Sequence, residues 1–311
     1  MTIALQANLL DQPIQMAITG DQLVYVVDSS NIEARMLAWE SRHDDLLEQF
    51  RQKQDVYSNF ASLVYGYPIN KYDNPEERFL GKTCVLGLGY QVGWKKLQGS
   101  LATADTPLFI DELEARRIVN LYRSVNAPIP RYWAEAEAAI ADMYLGNERD
   151  WGPLRIYKNA LIMPNGMALQ YTGLRPVAPS EDGSIFGGWE YWNGKFWTNL
   201  YGGKLVENIT QALSRIVLFG QMLKINDLLR PHGGRVVLNV HDEIIGVGPS
   251  FGARYLGQFP DEKGELKDRW DRTDKAQALF DEMVAIMRTP PVWCRDLPLD
   301  GEGGFGFEYS K

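Results

Sequence analysis

Two aspartates stand at the ends of apolar runs. Asp28 follows Leu23-Val24-Tyr25-Val26-Val27, and Asp242 comes one residue after Val236-Val237-Leu238-Asn239-Val240. If the two runs are neighbouring strands of one sheet, their carboxylates converge at its edge. Converging carboxylates near water suit Mg²⁺, a hard cation that keeps several waters and takes its other ligands from carboxylates and substrate phosphates. Two such ions, roughly 3.5–4 Å apart, can activate an attacking oxygen and stabilise a leaving one. A lone Asp in such a place more often closes a turn or caps a helix. The pairing of the two contexts is what points to a metal site.

A second set follows Asn74-Pro75-Glu76-Glu77, which reads as a helix start: a capping residue, a first-turn Pro and two acids at the positive end of the dipole. Arg78, Lys82, Leu86 and Tyr90 recur at steps of four, so at ~100° per residue they share one helix face. A guanidinium and an ammonium one turn apart suit a polyphosphate, because Arg forks onto phosphate oxygens and Lys supplies a mobile charge or a proton. An ordinary solvated basic face has the same spacing. Gly81, Gly87 and Gly89 each cost helix stability, roughly 1 kcal/mol relative to Ala, which implies close packing against something flat or a helix that moves.

The third set is His241-Asp242-Glu243. A His beside acids could be a metal ligand, a general base or a hydrogen-bonded turn residue. With only His43 and His232 elsewhere, a His-rich zinc site is disfavoured. The sequence has no Walker phosphate loop, no G-x-G-x-x-G unit and no G-x-S-x-G elbow.

The elements that position these residues follow from hydrophobic period. The run 23–27 is a strand buried on both faces, and 32–37 changes to helical spacing with Ser and Asn ahead as caps. From 41 to about 203 the chain reads as mostly helical pieces, with helices after Asp111 and from Tyr132 to Leu145, and loops and short strands over 172–203. A long helix covers 205–229. The runs 235–240 and 244–247 form a hairpin with acids at its tip. Residues 251–269 read as an exposed linker, and 273–288 as a last helix stopped by Pro290-Pro291.

Composition bounds the function. The chain of 311 residues is 45% hydrophobic, enough for a real core. Its net charge of −8 argues against coating nucleic acid through bulk charge, yet residues 78–131 carry eight Lys+Arg against four Asp+Glu. Two cysteines, Cys84 and Cys294, exclude a disulfide framework and suit a reducing compartment. Neither a membrane span nor an export signal is visible, so no membrane partner and a cytoplasmic location are expected.

Taken together, the three segments resemble the polymerase motifs of family A DNA polymerases, the DNA polymerase I type of bacteria and phages. Asp28-Ser29-Ser30-Asn31-Ile32-Glu33-Ala34-Arg35 resembles motif A, normally D-Y-S-Q-I-E-L-R. Arg78-x-x-x-Lys82-x-x-x-Leu86-Gly87-x-x-Tyr90 resembles motif B, and Val240-His241-Asp242-Glu243 resembles motif C. The segment Tyr201-Gly202-Gly203-Lys204-Leu205-Val206-Glu207-Asn208 and Leu297-Pro298-Leu299 are similar to the phage branch.

The resemblance implies an α+β fold, with a palm of antiparallel sheet and helices plus a mostly helical fingers subdomain. The palm would take residues 1–40 and 204–311, and the fingers with connecting loops 41–203. It implies DNA-directed DNA synthesis from dNTPs on a primer-template. Asp28 and Asp242 would hold two Mg²⁺, with Mn²⁺ a possible substitute, the Ser29 carbonyl a further ligand and Glu243 a secondary one. Arg78 and Lys82 would grip the triphosphate, and Lys82 would protonate the leaving pyrophosphate. Glu33 would gate out the ribose 2′-hydroxyl, Tyr90 would pack near the nascent pair, and His241 would sit beside the primer terminus.

Ser29 replaces the usual tyrosine of motif A, and Leu86 stands where Phe or Tyr is usual. Only 27 residues precede motif A, where the family has a thumb and usually an exonuclease. The expectation is therefore the polymerase subunit of a split enzyme, with a separate protein supplying the thumb, with or without an exonuclease, in a bacterial host's cytoplasm if phage-encoded. These residues disfavour two rival functions. A single-subunit RNA polymerase would lack the Glu33 gate and usually reads His-Asp-Ser at motif C. A non-catalytic primer-template scaffold would need none of Asp28, Asp242, Arg78 and Lys82 together.

Overall fold

The structure, a computed structural model, describes residues 21–178, 188–260, 264 and 266–309. The chain begins with strand β1 (Gln22–Ser29) and helices α1 (Ile32–Glu40), α2 (Asp44–Arg51), α3 (Val56–Tyr65), α4 (Pro75–Leu88), α5 (Trp94–Ala102), α6 (Glu112–Val125) and α7 (Pro128–Leu145). Short strands follow: β2 (Arg149–Trp151), β3 (Leu154–Tyr157), β4 (Ala160–Ile162), β5 (Ala168–Gln170), β6 (Arg175–Val177), β7 (Gly188–Trp192) and β8 (Trp197–Leu200). The chain continues through α8 (Gly202–Leu229), β9 (Arg235–Val240), β10 (Glu243–Pro249), β11 (Arg254–Pro260), β12 (Leu266–Asp271), α9 (Asp274–Met287) and β13 (Gly301–Gly306). The fold class is α+β, as expected, and every strand pairing is antiparallel.

Contacts divide the chain into two compact units. The first contains the described residues of 1–30, 217–290 and 299–311, and the second those of 31–216 and 291–298.

The first unit is built on a four-stranded sheet in the order β13-β1-β10-β9. Central position explains why β1 is apolar on successive residues: both of its faces are covered. Leu23, Tyr25 and Val27 join Ile244, Met283, Met287, Ile225 and Leu229 in one core. The Thr273 hydroxyl caps α9 by accepting the Ala276 N–H at 3.3 Å. Two glycines of β13 answer close approach: a Cβ at Gly303 would run into the Val26 carbonyl oxygen, and one at Gly301 into the Met287 side chain. The linker expected over 251–269 is in part a two-stranded ribbon, β11 paired with β12. Its exposure matches the expectation, but strand pairing satisfies backbone groups that a loop would leave to water. Residues 261–263 and 265 of that stretch lie outside the described residues.

The second unit is mostly helical. Asp55 caps α3 by accepting the Tyr57 and Ser58 N–H groups, and α4 starts on Pro75 with Glu76 and Glu77 in its first turn. Asn74 occupies the N-cap position of α4 without a side-chain cap bond; its Oδ1 accepts the Asn70 N–H at 3.3 Å instead. Two of the three glycines are explained by packing. A Cβ at Gly81 would strike the Tyr57 carbonyl, so α4 crosses α3 closely there, and one at Gly89 would strike Leu37. Gly87 faces open space. The segment 172–203 contains β6, β7 and β8 in one sheet, with residues 179–187 outside the described residues.

Among the described residues, no helix is long and apolar enough to cross a membrane. Cys84 and Cys294 are free and buried, and burial pushes both thiols up to about 12, as expected of packed, unreactive side chains.

Candidate active site

In the first unit, β1 and β10 are the neighbouring strands that the two aspartates require. Their register sets Asp28 directly across from Glu243, and the Ser29 N–H donates to the Asp242 carbonyl at 3.0 Å. Residues opposite one another in an antiparallel pair share a face, so Glu243 stands on the face of Asp28. Glu243 is buried and accepts the Tyr309 hydroxyl at 3.2 Å. Asp28 and Asp242 are half-buried, with Ser29 enclosed between strands and His241 exposed at the tip.

The hairpin tip is tight because Val240 already pairs with Glu243, leaving two residues for the turn. His241 adopts a left-handed φ of 53°, which a two-residue hairpin loop needs at its first position and which a non-glycine residue reaches only at some cost. Asn239 braces the turn, its Nδ2 donating to the Glu243 carbonyl at 2.8 Å.

Oxygen donors dominate this sheet edge. No group of three or more His, Cys, Asp and Glu side chains comes together among the described residues. A donor set of two aspartates with main-chain carbonyls is too small for a metal caged by protein alone. It fits Mg²⁺, which leaves much of its coordination to water and to substrate phosphate.

In the second unit, Arg78, Lys82 and Leu86 follow one another along α4. Lys82 and Leu86 are exposed. Arg78 is held: its Nε donates to Asp55 Oδ2 at 2.5 Å and its Nη2 to Oδ1 at 3.2 Å, while its guanidinium lies 5.3 Å from the Tyr57 ring centre. Burial acts to raise the Asp55 carboxyl, but its bonds to Arg78 and Ser58 outweigh this and hold it below the usual range. The Tyr57 hydroxyl continues the chain by donating to Asn31 Oδ1 at 2.6 Å, two residues from Glu33.

Tyr90 does not lie on the helix with the other three. The helix ends at Leu88, and the Tyr90 N–H takes a tighter bond to the Gly87 carbonyl at 3.3 Å. Burial pushes its phenol well above the ordinary range, helped by the charges of Glu33 and Glu40. The indole of Trp133 secures this end of α4 by donating to the Gly89 carbonyl at 2.8 Å.

The segment beginning at Tyr201 opens α8. Its first donors are met from elsewhere in the unit: the Gly202 N–H by Glu137 Oε2 at 2.7 Å and the Gly203 N–H by Gln91 Oε1 at 2.9 Å. Glycine is needed at both positions, because a Cβ would strike the Trp133 or Tyr90 carbonyl.

Sequence reasoning missed Asp55, Tyr57 and Glu40. Asp55 carries a signal only as a helix cap, and its pairing with Arg78 across 23 residues leaves no periodic trace. Glu40 is buried, accepts the Thr210 hydroxyl at 2.5 Å and is pushed up to about 8 by burial.

The model of DNA polymerase family A matches residues 11–145. A DNA polymerase of Bacillus phage SP02 is 28% identical over 298 residues, covering 92% of this chain and 41% of that protein. The thermostable DNA polymerase I of Thermus filiformis is 23% identical over 305 residues, covering 97% of this chain and 29% of its own length. Among solved structures, the POL domain of Pol1 from M. smegmatis, in complex with DNA primer-template and dNTP, aligns with a TM-score of 0.58 at 18% identity. That alignment covers 92% of this chain and 40% of the other, and it shows a shared fold. The chain thus spans about two fifths of the length of the phage relative.

Proposed function

We propose that the chain, similar to DNA polymerase family A over residues 11–145 and to a phage DNA polymerase over 92% of its length, is a member of that family and carries out template-directed DNA synthesis, transferring nucleotides from dNTPs to a primer 3′ end. The observation that supports this most is the junction of the two acidic segments on one sheet edge. Asp28 faces Glu243 across β1 and β10, and Ser29 bonds the main chain of Asp242.

In this reading the palm is residues 1–40 and 204–311 and the fingers 41–203. Asp28 and Asp242, with the Ser29 carbonyl and Glu243 behind them, hold divalent cations, Mg²⁺ by preference. When bound, two such ions activate the primer hydroxyl and offset charge on the leaving pyrophosphate. Arg78 and Lys82 bind the triphosphate, and Lys82 delivers a proton to the departing phosphate oxygen. Phosphoryl transfer asks little covalent chemistry of a protein, so catalysis here is positioning and charge compensation.

Glu33 closes the space a ribose 2′-hydroxyl would need, and Tyr90 packs against the nascent pair. His241 stands beside the primer terminus in this reading, which its exposed position at the tip of the β9–β10 hairpin supports. The motifs in this chain are those of palm and fingers, and we assign the grip on duplex DNA to a thumb supplied by a further segment or a separate polypeptide.

Primer extension tests the proposal. The chain is assayed with Mg²⁺ and dNTPs, alone and with a thumb-bearing polypeptide, against Asp242→Asn. Loss of a metal-holding carboxylate should lower the rate by about 10³-fold, several kcal/mol of barrier, with the fold unchanged. Full activity in Asp242→Asn would overturn the metal assignment. Efficient use of ribonucleotides would overturn the role of Glu33.

A further inference from the structure

Sheet β6-β7-β8, remote in sequence from the three motifs, has two different faces. Its register pairs Arg175 with Glu190, Glu190 with Asn199, and Trp192 with Trp197. Alternation therefore sets these five side chains on one face and Trp189, Tyr191 and Leu200 on the other. The second face is turned inward: Trp189 packs on Tyr144, Tyr191 on Tyr171, and Leu200 is buried. The first is turned to solvent, with Trp192 and Trp197 38% and 41% exposed.

Exposure of two large indoles is costly in water, and here they are held in place. The rings of Trp192 and Trp197 meet edge to face at 5.8 Å. The Arg175 guanidinium lies 3.6 Å from the Trp197 ring centre and is tied to Glu190 at 2.5 Å. Gly173, at φ 66°, lets Trp197 lie close to the backbone. The turn beyond is fixed by Asn193, whose Oδ1 accepts the N–H groups of Lys195 and Phe196, both at 3.0 Å. That turn raises Lys195 and a 60% exposed Phe196 beside the indoles.

We propose that this outer face is a stacking platform for single-stranded DNA. Flat aromatic faces take bases without regard to sequence: the exposed Trp192 and Phe196 offer theirs, Lys195 supplies a cation for the phosphates, and Arg175, bound to Glu190 and lying over Trp197, holds that ring in place. The Lys195 charge beside the exposed rings is what favours a nucleic acid over an apolar protein partner. Because the rings are already ordered by the sheet and the turn, binding would cost little side-chain entropy. The site goes beyond the nucleotide-transfer reading, since it needs neither dNTP nor a divalent cation.

The test measures anisotropy of a fluorescein-labelled 15-nucleotide oligothymidylate on the full chain, without nucleotide or Mg²⁺, so that failure of the polymerase reading does not affect it. Trp192→Ala/Trp197→Ala should bind at least about tenfold more weakly than wild type, with an unchanged melting temperature. Trp192→Phe/Trp197→Phe, which keeps flat rings, should stay within about threefold of wild type. Equal affinity in wild type and the double alanine variant would overturn the proposal. So would a double alanine variant that loses self-association in sedimentation while keeping its oligonucleotide affinity, which would make the face a protein interface.

Discussion

Asp55 holds Arg78 through two hydrogen bonds, at 2.5 and 3.2 Å, and the same carboxylate caps the helix before it. The cation expected to bind triphosphate is thus already partnered within its own unit. A nucleotide that takes Arg78 has to displace Asp55.

Replacing Asp55 by Asn keeps an oxygen for the cap and removes the competing charge. We expect a several-fold lower KM for dNTP with kcat little changed, and a stability loss of no more than about 1 kcal/mol, because the pair is partly exposed. A higher KM would show that Asp55 orients Arg78 for the nucleotide. The Asp55 carboxyl is held below its usual value, so its stabilising contribution is complete above the ordinary carboxylate range. It is lost only as pH falls through the lowered pKa, and neutral pH profiles should not register it.

Leu86 is 37% exposed on α4, so a larger side chain meets little obstruction. The family resemblance sets this position next to the nucleotide sugar, and if Leu86 makes that contact, Leu86→Phe would replace an aliphatic group there with a flat ring. The ratio of dideoxy to deoxynucleotide incorporation should then shift by at least about threefold, with the melting temperature nearly constant. Equal discrimination by the two proteins would remove Leu86 from the sugar contact.

Glu40 is a buried carboxyl with one oxygen unpartnered, the other bonded to Thr210. Its pKa, pushed up from 4.5 to about 8, means that the folded chain keeps the proton while the unfolded chain releases it. Stability should therefore be highest below pH 4.5 as far as this group is concerned, fall as pH rises toward 8, and level off above that. The total is on the order of 5 kcal/mol. Glu40→Gln should flatten that dependence and raise the melting temperature at pH 8. Parallel pH profiles for the two proteins would show that Glu40 does not remain neutral.

Sequence alone determined the elements whose period is strong. The apolar run 23–27, the hairpin 235–247 and the helix beginning at Pro75 are visible because burial on one or both faces leaves a repeating pattern. The candidate residues were likewise legible as short local motifs. Local pattern fell short in three places: Asn74 takes the N-cap position of α4 but its side chain bonds Asn70, Tyr90 falls beyond the helix, and 254–260 pairs with 266–271 into a ribbon.

Tertiary structure alone decided which groups meet. The register that opposes Asp28 to Glu243, the capture of Arg78 by Asp55, the burial of Glu40 against Thr210 and the outward turn of Trp192 and Trp197 all join residues through space. The physical reason is that periodicity records only how much of a residue is buried. Hydrogen bonds, ion pairs and ring contacts are set by single atoms brought together by chain folding, and they leave no repeat in the sequence from which they could be read.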